Sequence, residues 1–158
     1  MGRILSQKEL LEFAGECRRG RRRIVFTNGC FDLLHPGHIR LLEDARSLGD
    51  VLLVAINSDA SVRAMKGPQR PVFSQDDRAE ILGALAAVDA VTIFDEATPQ
   101  LLIAALLPNV LVKGEDWGED AIVGRAEVEA AGGRVVSLPL QPGFSTSALV
   151  ARIRQADS

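Results

Sequence analysis

Apolar runs typical of strands alternate with helical repeats along most of the chain. Five runs predict strands, at residues 24–27, 51–57, 91–94, 110–112 and 134–138. Six stretches predict helices, at residues 7–19, 37–48, 74–87, 98–106, 122–131 and 145–155. The second and fourth strands are continuously apolar, as strands buried on both faces must be. The pattern therefore predicts an α/β, three-layer fold with a five-stranded parallel sheet covered by helices on each side.

The order of elements suggests one domain over residues 1–158, with a helix and basic lead-in at 1–22 and a catalytic core at 23–156. Ser6 is expected to be the N-cap of the first helix, and Gly20 its C′ residue. The segment 58–73, after the second strand, reads as a long irregular loop, which is typical of a functional segment.

Charge and cysteine content narrow the class of protein. The net charge is −3 and the pI near 5.4, which favours neither nucleic acid nor an anionic membrane as partner. Cys17 and Cys30 are too few for a disulfide framework, and no secretory or spanning segment is present, so we expect a cytoplasmic protein. The start Met1-Gly2 fits a myristoylation pattern and five arginines fall within 18–23, but a helix cap and a basic last turn explain both regions better.

Polar residues follow every predicted strand. They fall at 28–38, 66–71, 95–96, 113–117 and 143–147. Open parallel sheets bind ligands beyond the carboxyl ends of their strands. We therefore expect these five groups to form one site.

The only two histidines of the chain lie in the tetrapeptide His35-Pro36-Gly37-His38. A strand, a turn with Gly29 and a helix start with two imidazoles make an anion-binding site, because free N–H groups and the helix dipole point at the ligand. A transition metal held by Cys30, His35 and His38 is the alternative, although a closed structural zinc site needs a fourth ligand.

Cations and hydroxyl groups complete the candidate site. Lys66 and Arg70 lie in a segment shaped by glycine and proline, and Lys113 ends a buried strand, where an unpaired ammonium is costly. Ser145, Thr146 and Ser147 start the last helix and suit phosphate groups or a simple N-cap. Trp117, the only tryptophan, is either a stacking residue or half-buried surface.

Phosphate-binding groups without a nucleophile and base pair indicate phosphoryl or nucleotidyl transfer. An attacking phosphate is already ionised, so catalysis reduces to positioning and charge neutralisation. Neither a P-loop motif nor G-x-G-x-x-G after the first strand is present, which argues against a P-loop enzyme.

The segment 27–38, TNGCFDLLHPGH, strongly resembles the signature of the cytidylyltransferase-like nucleotidyltransferases, whose fold is Rossmann-like with an HxGH motif. Within this superfamily the chain is most similar to the D-glycero-β-D-manno-heptose 1-phosphate adenylyltransferases, the adenylyltransferase half of bifunctional ADP-heptose synthesis proteins. The similarity rests on segments 54–61, 66–71, 82–89, 98–100, 107–108 and 111–114, and it spans about 23–154.

The resemblance implies that a sugar 1-phosphate attacks the α-phosphorus of ATP, with Mg²⁺ bound through the phosphates, giving an ADP-sugar for lipopolysaccharide synthesis and pyrophosphate. It implies a homo-oligomer and a separate heptose kinase. It also implies site residues. The catalytic ones are His35, His38, Lys66 and Lys113; the nucleotide-binding ones are Asn28, Gly29, Cys30, Phe31, Gly37, Arg78, Gly143, Ser145, Thr146 and Ser147; the substrate-binding ones are Asp32, Arg70, Asp116 and Trp117.

Two other functions stay open. The pair Asp116-Trp117 resembles the glycerol-3-phosphate cytidylyltransferases, so a cytidylyltransferase acting on glycerol 3-phosphate or a related small phosphate is one alternative. A nucleotide sensor without catalytic activity is the other, although two histidines and two lysines at the site argue against it.

Overall fold

A six-stranded parallel sheet forms the centre of the computed structural model, which describes residues 1–114 and 122–158. The strands are β1 (Arg3–Ile4), β2 (Ile24–Gly29), β3 (Val51–Asn57), β4 (Ala90–Phe94), β5 (Val110–Gly114) and β6 (Arg134–Leu138). The helices are α1 (Gln7–Arg19), α2 (Pro36–Arg46), α3 (Asp59–Lys66), α4 (Gln75–Gly83), α5 (Gln100–Leu106), α6 (Arg125–Ala130) and α7 (Thr146–Ala156). The strand order is β1-β4-β3-β2-β5-β6. The fold is α/β and Rossmann-like.

Helices cover the sheet on both faces, as the apolar runs predict. On β2, Phe26 packs with Leu10 of α1 on one face, in a core that also includes residues of α5 and α6. The neighbouring Val25 packs on the other face, in a core shared with Leu42 of α2 and Leu82 of α4. Successive side chains of a strand point to opposite faces, so each central strand contributes to both cores.

The expectation of five strands was wrong by one. The additional strand, β1, pairs in parallel with β4 through Arg3 opposite Ala90 and Ile4 opposite Val91. Its two residues are both exposed at the edge of the sheet. A pair of exposed residues has no hydrophobic pattern, so sequence periodicity does not detect it.

The segment 58–73 contains a helix, where the sequence suggested an irregular loop. Ser58 caps α3, because its side chain accepts a hydrogen bond from the backbone N–H of Ser61 at 3.2 Å. Gly67 ends the helix with φ of 98°, a conformation that favours glycine. Within the helix only Val62 and Ser61 are buried, so its apolar repeat is too short to recognise.

The first helix begins as expected and ends differently. Ser6 and Glu9 form a capping box at its start. Gly20 is the C-cap itself, with φ of −81°, and the following Arg21 has the positive φ, 56°. Throughout the two described ranges, no helix is long and apolar enough to cross a bilayer.

Candidate active site

The order of the strands reverses between β2 and β5, and the site lies beyond the carboxyl ends of these two neighbours. β3 and β4 follow β2 on one side, whereas β5 and β6 lie on the other. At such a reversal the outgoing loops diverge to opposite faces and leave a crevice. The crevice here is a pocket of about 440 Å³. Nine of the residues proposed from the sequence line it: Asn28, Gly29, Cys30, Phe31, Asp32, His38, Lys66, Lys113 and Thr146.

The other proposed residues do not line this pocket. They are His35, Gly37, Arg70, Arg78, Gly143, Ser145 and Ser147. Several of them contact residues that do, as described below. Asp116 and Trp117 lie outside the described residues.

His38 is held as a neutral hydrogen-bond donor. Its Nδ1 accepts a hydrogen bond from the backbone N–H of His35, the N-cap residue of α2, at 3.3 Å. Burial, helped by the nearby charges of His35 and Lys66, lowers the pKa of His38 to about 4. The ring is therefore neutral at pH 7, and its proton lies on Nε2. A neutral N–H donor at a helix start suits a phosphate oxygen.

The His35 ring stacks on the His38 ring, with 3.8 Å between centroids and 23° between planes. Burial lowers the pKa of His35 below its ordinary value. Gly37 leaves room for this arrangement, because a Cβ atom on Gly37 would lie 2.9 Å from Nδ1 and Cε1 of His35. A larger residue at position 37 would therefore clash with the His35 ring.

Lys113 is a partly buried cation at the end of β5. Its ammonium donates a hydrogen bond to Oδ1 of Asn28, at the end of β2. Burial lowers the pKa of Lys113 to about 8. A carbonyl oxygen compensates an ammonium only in part, so the site favours an anion beside Lys113.

Asp32 holds the segment after α3 against the loop that follows β2. Its carboxylate accepts hydrogen bonds from Arg70 Nε at 2.8 Å, the Val72 N–H at 2.9 Å and the Phe73 N–H at 3.0 Å. Burial opposes ionisation of Asp32, but the backbone N–H groups of Phe73 and Val72 and the Arg70 side chain outweigh it, and the pKa is lowered. Asp32 is 2% exposed, so its ion pair with Arg70 is largely buried.

Arg78 links the backbone segments that lie next to the pocket. Its side chain is fully buried and donates to the carbonyl oxygens of Phe73 at 3.1 Å, Cys30 at 2.7 Å and Asn57 at 2.8 Å. It also pairs with Asp59 at 2.9 Å. These contacts join the ends of β2 and β3 to the start of α3, and they occupy the guanidinium with protein acceptors.

The last helix brings hydroxyl groups to the same rim. Ser145 caps α7 by accepting a hydrogen bond from the Ala148 N–H at 3.0 Å. Thr146 lines the pocket and donates through Oγ1 to the Leu33 carbonyl at 3.4 Å. Gly143, with φ of 83°, turns the chain before the helix. Thr146, Lys113 and His38 therefore lie on one rim, as the sequence predicts.

Sequence reasoning missed the apolar wall of the pocket and three polar lining residues, Thr27, Asn57 and Thr98. The wall includes Leu41, Phe94, Pro99, Ile122, Val123 and Leu140. Asn57 also lines the pocket, donates to Ser61 Oγ at 3.0 Å and accepts from the Cys30 thiol at 3.7 Å. Asn57 ends β3, so the strand-end rule that identified Lys113 could have identified it. The wall residues carry no such signal, because apolar positions in an α/β chain are mostly core.

The alternative of a protein-built metal site gains no geometric support. Among the residues that the structure describes, no three His, Cys, Asp or Glu side chains are grouped as metal ligands would be. Cys30 instead contacts Asn57, and burial raises the pKa of its thiol, which disfavours the thiolate that metals bind.

A sequence profile described as cytidylyltransferase-like matches residues 26–151. The chain belongs to the cytidylyltransferase-like family. This match covers the central strands, the pocket and most of α7, so the described geometry is that of a family member.

Curated relatives of the chain include proteins named bifunctional protein HldE. The one from Koribacter versatilis is 55% identical over 94% of this chain and 30% of its own length. The one from Rhodopseudomonas palustris (strain ATCC BAA-98 / CGA009) is 52% identical over 98% of this chain and 32% of its own length. The chain thus spans about a third of the length of these relatives.

Two solved structures share this fold but differ in their sequence identity to the chain. A lipopolysaccharide core biosynthesis protein from Thermoplasma volcanium is 26% identical, with a TM-score of 0.62 over 76% of this chain and 97% of that one. A pantoate-beta-alanine ligase from Francisella tularensis is 15% identical, with a TM-score of 0.63 over 100% of this chain and 79% of that one. The second similarity concerns the fold alone.

Proposed function

We propose that this protein is a nucleotidyltransferase that transfers AMP from ATP to D-glycero-β-D-manno-heptose 1-phosphate. An oxygen of the sugar phosphate forms a bond to the α-phosphorus of ATP, and the bond from that phosphorus to the β-phosphate oxygen breaks. The products are an ADP-heptose and pyrophosphate. The observation that carries the proposal is the convergence of His38, Lys113 and Thr146 on one pocket in a family member.

The described side chains suit each part of this reaction. The neutral His38 donates from Nε2 to an oxygen of the α-phosphate, on which charge builds up during substitution. Lys113 and Lys66, which both line the pocket, neutralise phosphate charge. The start of α7, with Ser145, Thr146 and Ser147, holds the departing β- and γ-phosphates.

A general base is unnecessary, because the attacking phosphate oxygen is ionised at neutral pH. This agrees with a pocket whose lining offers no free carboxylate within the described ranges, since Asp32 is already bonded to Arg70, Val72 and Phe73. Arg78 then acts as a brace for the loops that carry Cys30 and Asn57. The substrate contacts of Asp116 and Trp117 stay part of the proposal by resemblance.

Since the described lining offers no free carboxylate, a magnesium ion would be bound through the phosphates of ATP and by water. Mg²⁺ in nucleotide sites keeps several waters and takes its ligands from substrate phosphates and one or two carboxylates. When bound, it would neutralise charge on the triphosphate. Lys66, Lys113 and the α7 hydroxyl groups would bind the remaining phosphate oxygens.

The choice of heptose 1-phosphate follows from the resemblance of the sequence, and the names of the relatives add that they are bifunctional. Proteins called bifunctional carry a second activity, and this chain spans about a third of their length. We propose that a sugar kinase activity supplies the phosphorylated heptose, and that the transferase works as a homo-oligomer.

Pyrophosphate release tests the proposal directly. The protein is incubated with Mg²⁺, ATP or CTP, and one acceptor: heptose 1-phosphate, glycerol 3-phosphate or an amino-alcohol phosphate. We expect release with ATP and heptose 1-phosphate, and the product should have the mass of ADP-heptose. Pyrophosphate release with CTP but not with ATP would favour a cytidylyltransferase instead. Binding of ATP without turnover of any acceptor would indicate a nucleotide sensor.

A further inference from the structure

Four aromatic rings form a continuous row of contacts through the histidine pair. Phe31 lies 5.4 Å from His38 between ring centroids, His38 lies 3.8 Å from His35, and His35 lies 5.8 Å from Phe144. The planes of His35 and Phe144 differ by 17°, so these two rings are stacked. Phe144 comes from the turn before α7, far along the chain from the other three rings. The row therefore joins two loops of the site.

The His35 ring contacts two other rings, His38 and Phe144. Nδ1 of His35 is buried and has no hydrogen-bond partner within the described part of the chain. An imidazole without a hydrogen bond at that nitrogen is oriented by its packing, and its neighbours are His38, Phe144 and the bare Gly37. A Cβ atom on Gly37 would lie 2.9 Å from His35 Nδ1 and 3.1 Å from the Phe144 Cβ, so both rings depend on this glycine.

Phe144 is itself held in place at the surface. The Arg40 guanidinium, on α2, lies 5.6 Å from the Phe144 ring centroid. Arg40 also donates to Oε1 of Gln141 at 3.0 Å, in the same turn as Phe144. Phe144 is 40% exposed, so it contributes little to the hydrophobic core. Its ring contacts are with His35, the N-cap residue of α2, and with Arg40 of the same helix.

We propose that Phe144 is a positioning residue that fixes the His35 imidazole and couples it to the phosphate-binding turn at the start of α7. Phe144 directly precedes the N-cap Ser145, and Thr146 lines the pocket. When the hydroxyl groups of this turn engage the triphosphate, Phe144 holds the first imidazole against the second. The row thus sets both imidazoles relative to the α-phosphate.

NMR of the two imidazoles tests the contact between Phe144 and His35 without requiring turnover. The chain has only two histidines, so two-dimensional NMR of the imidazole C–H groups gives two sets of signals, assigned with His35→Gln. Removing the ring in Phe144→Ala should shift the His35 signals, because the ring current of a stacked neighbour is lost. Phe144→Leu, which keeps apolar volume, should give the same shift, and Phe144→Tyr should restore the parent signals. Ile153→Ala, at an exposed apolar residue of α7 outside the row of rings, is the control.

The predicted effect of Phe144 substitutions on kcat rests on the proposed function. A stacked aromatic pair contributes about 0.5–1.5 kcal/mol, so Phe144→Ala and Phe144→Leu should lower kcat roughly 2- to 13-fold. The KM for ATP should change less than kcat, and Phe144→Tyr and Ile153→Ala should match the parent protein. Unchanged His35 signals in both Phe144→Ala and Phe144→Leu would overturn the inference. So would shifted signals with an unchanged kcat. Absence of turnover in the parent protein would contradict the proposed function. The NMR comparison would still test whether Phe144 positions the His35 ring.

Discussion

The Lys113 ammonium donates a hydrogen bond to Oδ1 of Asn28, and this contact joins the ends of the two strands between which the sheet order reverses. The two residues are 85 positions apart in the chain. Asn28 is uncharged, so the ammonium keeps its charge for a ligand, and burial lowers its pKa to about 8. The pair thus places a cation with a lowered pKa in the lining of the pocket.

The pKa of Lys113 predicts an alkaline limit on substrate capture. Its charged form binds phosphate, and that form is lost in the free protein as the pH rises through about 8. We therefore expect kcat/KM for ATP to fall above about pH 8, measured by pyrophosphate release. Lys113→Arg keeps its charge at alkaline pH and should show no such fall, whereas a wild-type profile that is flat to pH 10 would contradict the role of this lysine.

The pKa of His38 predicts how stability depends on acidity. The folded-state pKa is about 4 and the ordinary value is 6.5. Between these values the unfolded chain binds more protons, so the free energy of unfolding should fall as the pH is lowered from 6.5 to 4. The contribution of this group is on the order of 2 kcal/mol after solvent screening. Urea denaturation of His38→Asn should show a smaller dependence in this window, and equal slopes for both proteins would disprove the assignment.

Loss of the His38 ring should affect the chemical step more than ATP binding. The Nε2–H group acts on charge that develops in the transition state, so His38→Ala should lower kcat by roughly 10²–10³. The affinity for ATP, measured by calorimetry, should change much less. A matched loss of ATP affinity with kcat retained would assign His38 to ground-state binding instead.

Asp32 should be important for stability as well as for the site. Asp32→Asn removes the charge that holds Arg70 and weakens the bonds to Val72 and Phe73, so the free energy of unfolding at pH 7 should fall by about 2–3 kcal/mol. Because the pKa of Asp32 is lowered, this contribution is present above about pH 4 and is lost as the pH falls below it. Asp95→Asn, at an exposed carboxylate, should change stability by less than about 0.5 kcal/mol. Equal effects of the two substitutions would argue against a buried contact.

Local sequence patterns were enough to predict the central strands, the cap at Ser6 and the helix that starts at the histidines. Each depends on residues within a few positions of one another. The edge strand at Arg3 and the short helix α3 escaped this reasoning, because neither has an apolar repeat long enough to recognise. Both are stabilised by pairing or capping contacts that a periodicity does not contain.

By itself, the sequence determined the order of the elements and the rim on which the polar groups lie, because parallel strands with buried faces all end on the same side of a sheet. Only the tertiary structure decided which of those groups face the pocket. Asp32 and Arg78 are buried because loops distant in sequence offer them hydrogen-bond partners. The His35 imidazole stacks with Phe144 because the start of α2 and the turn before α7 are packed together. Such contacts depend on strand register and helix packing over a hundred residues, and no local pattern encodes them.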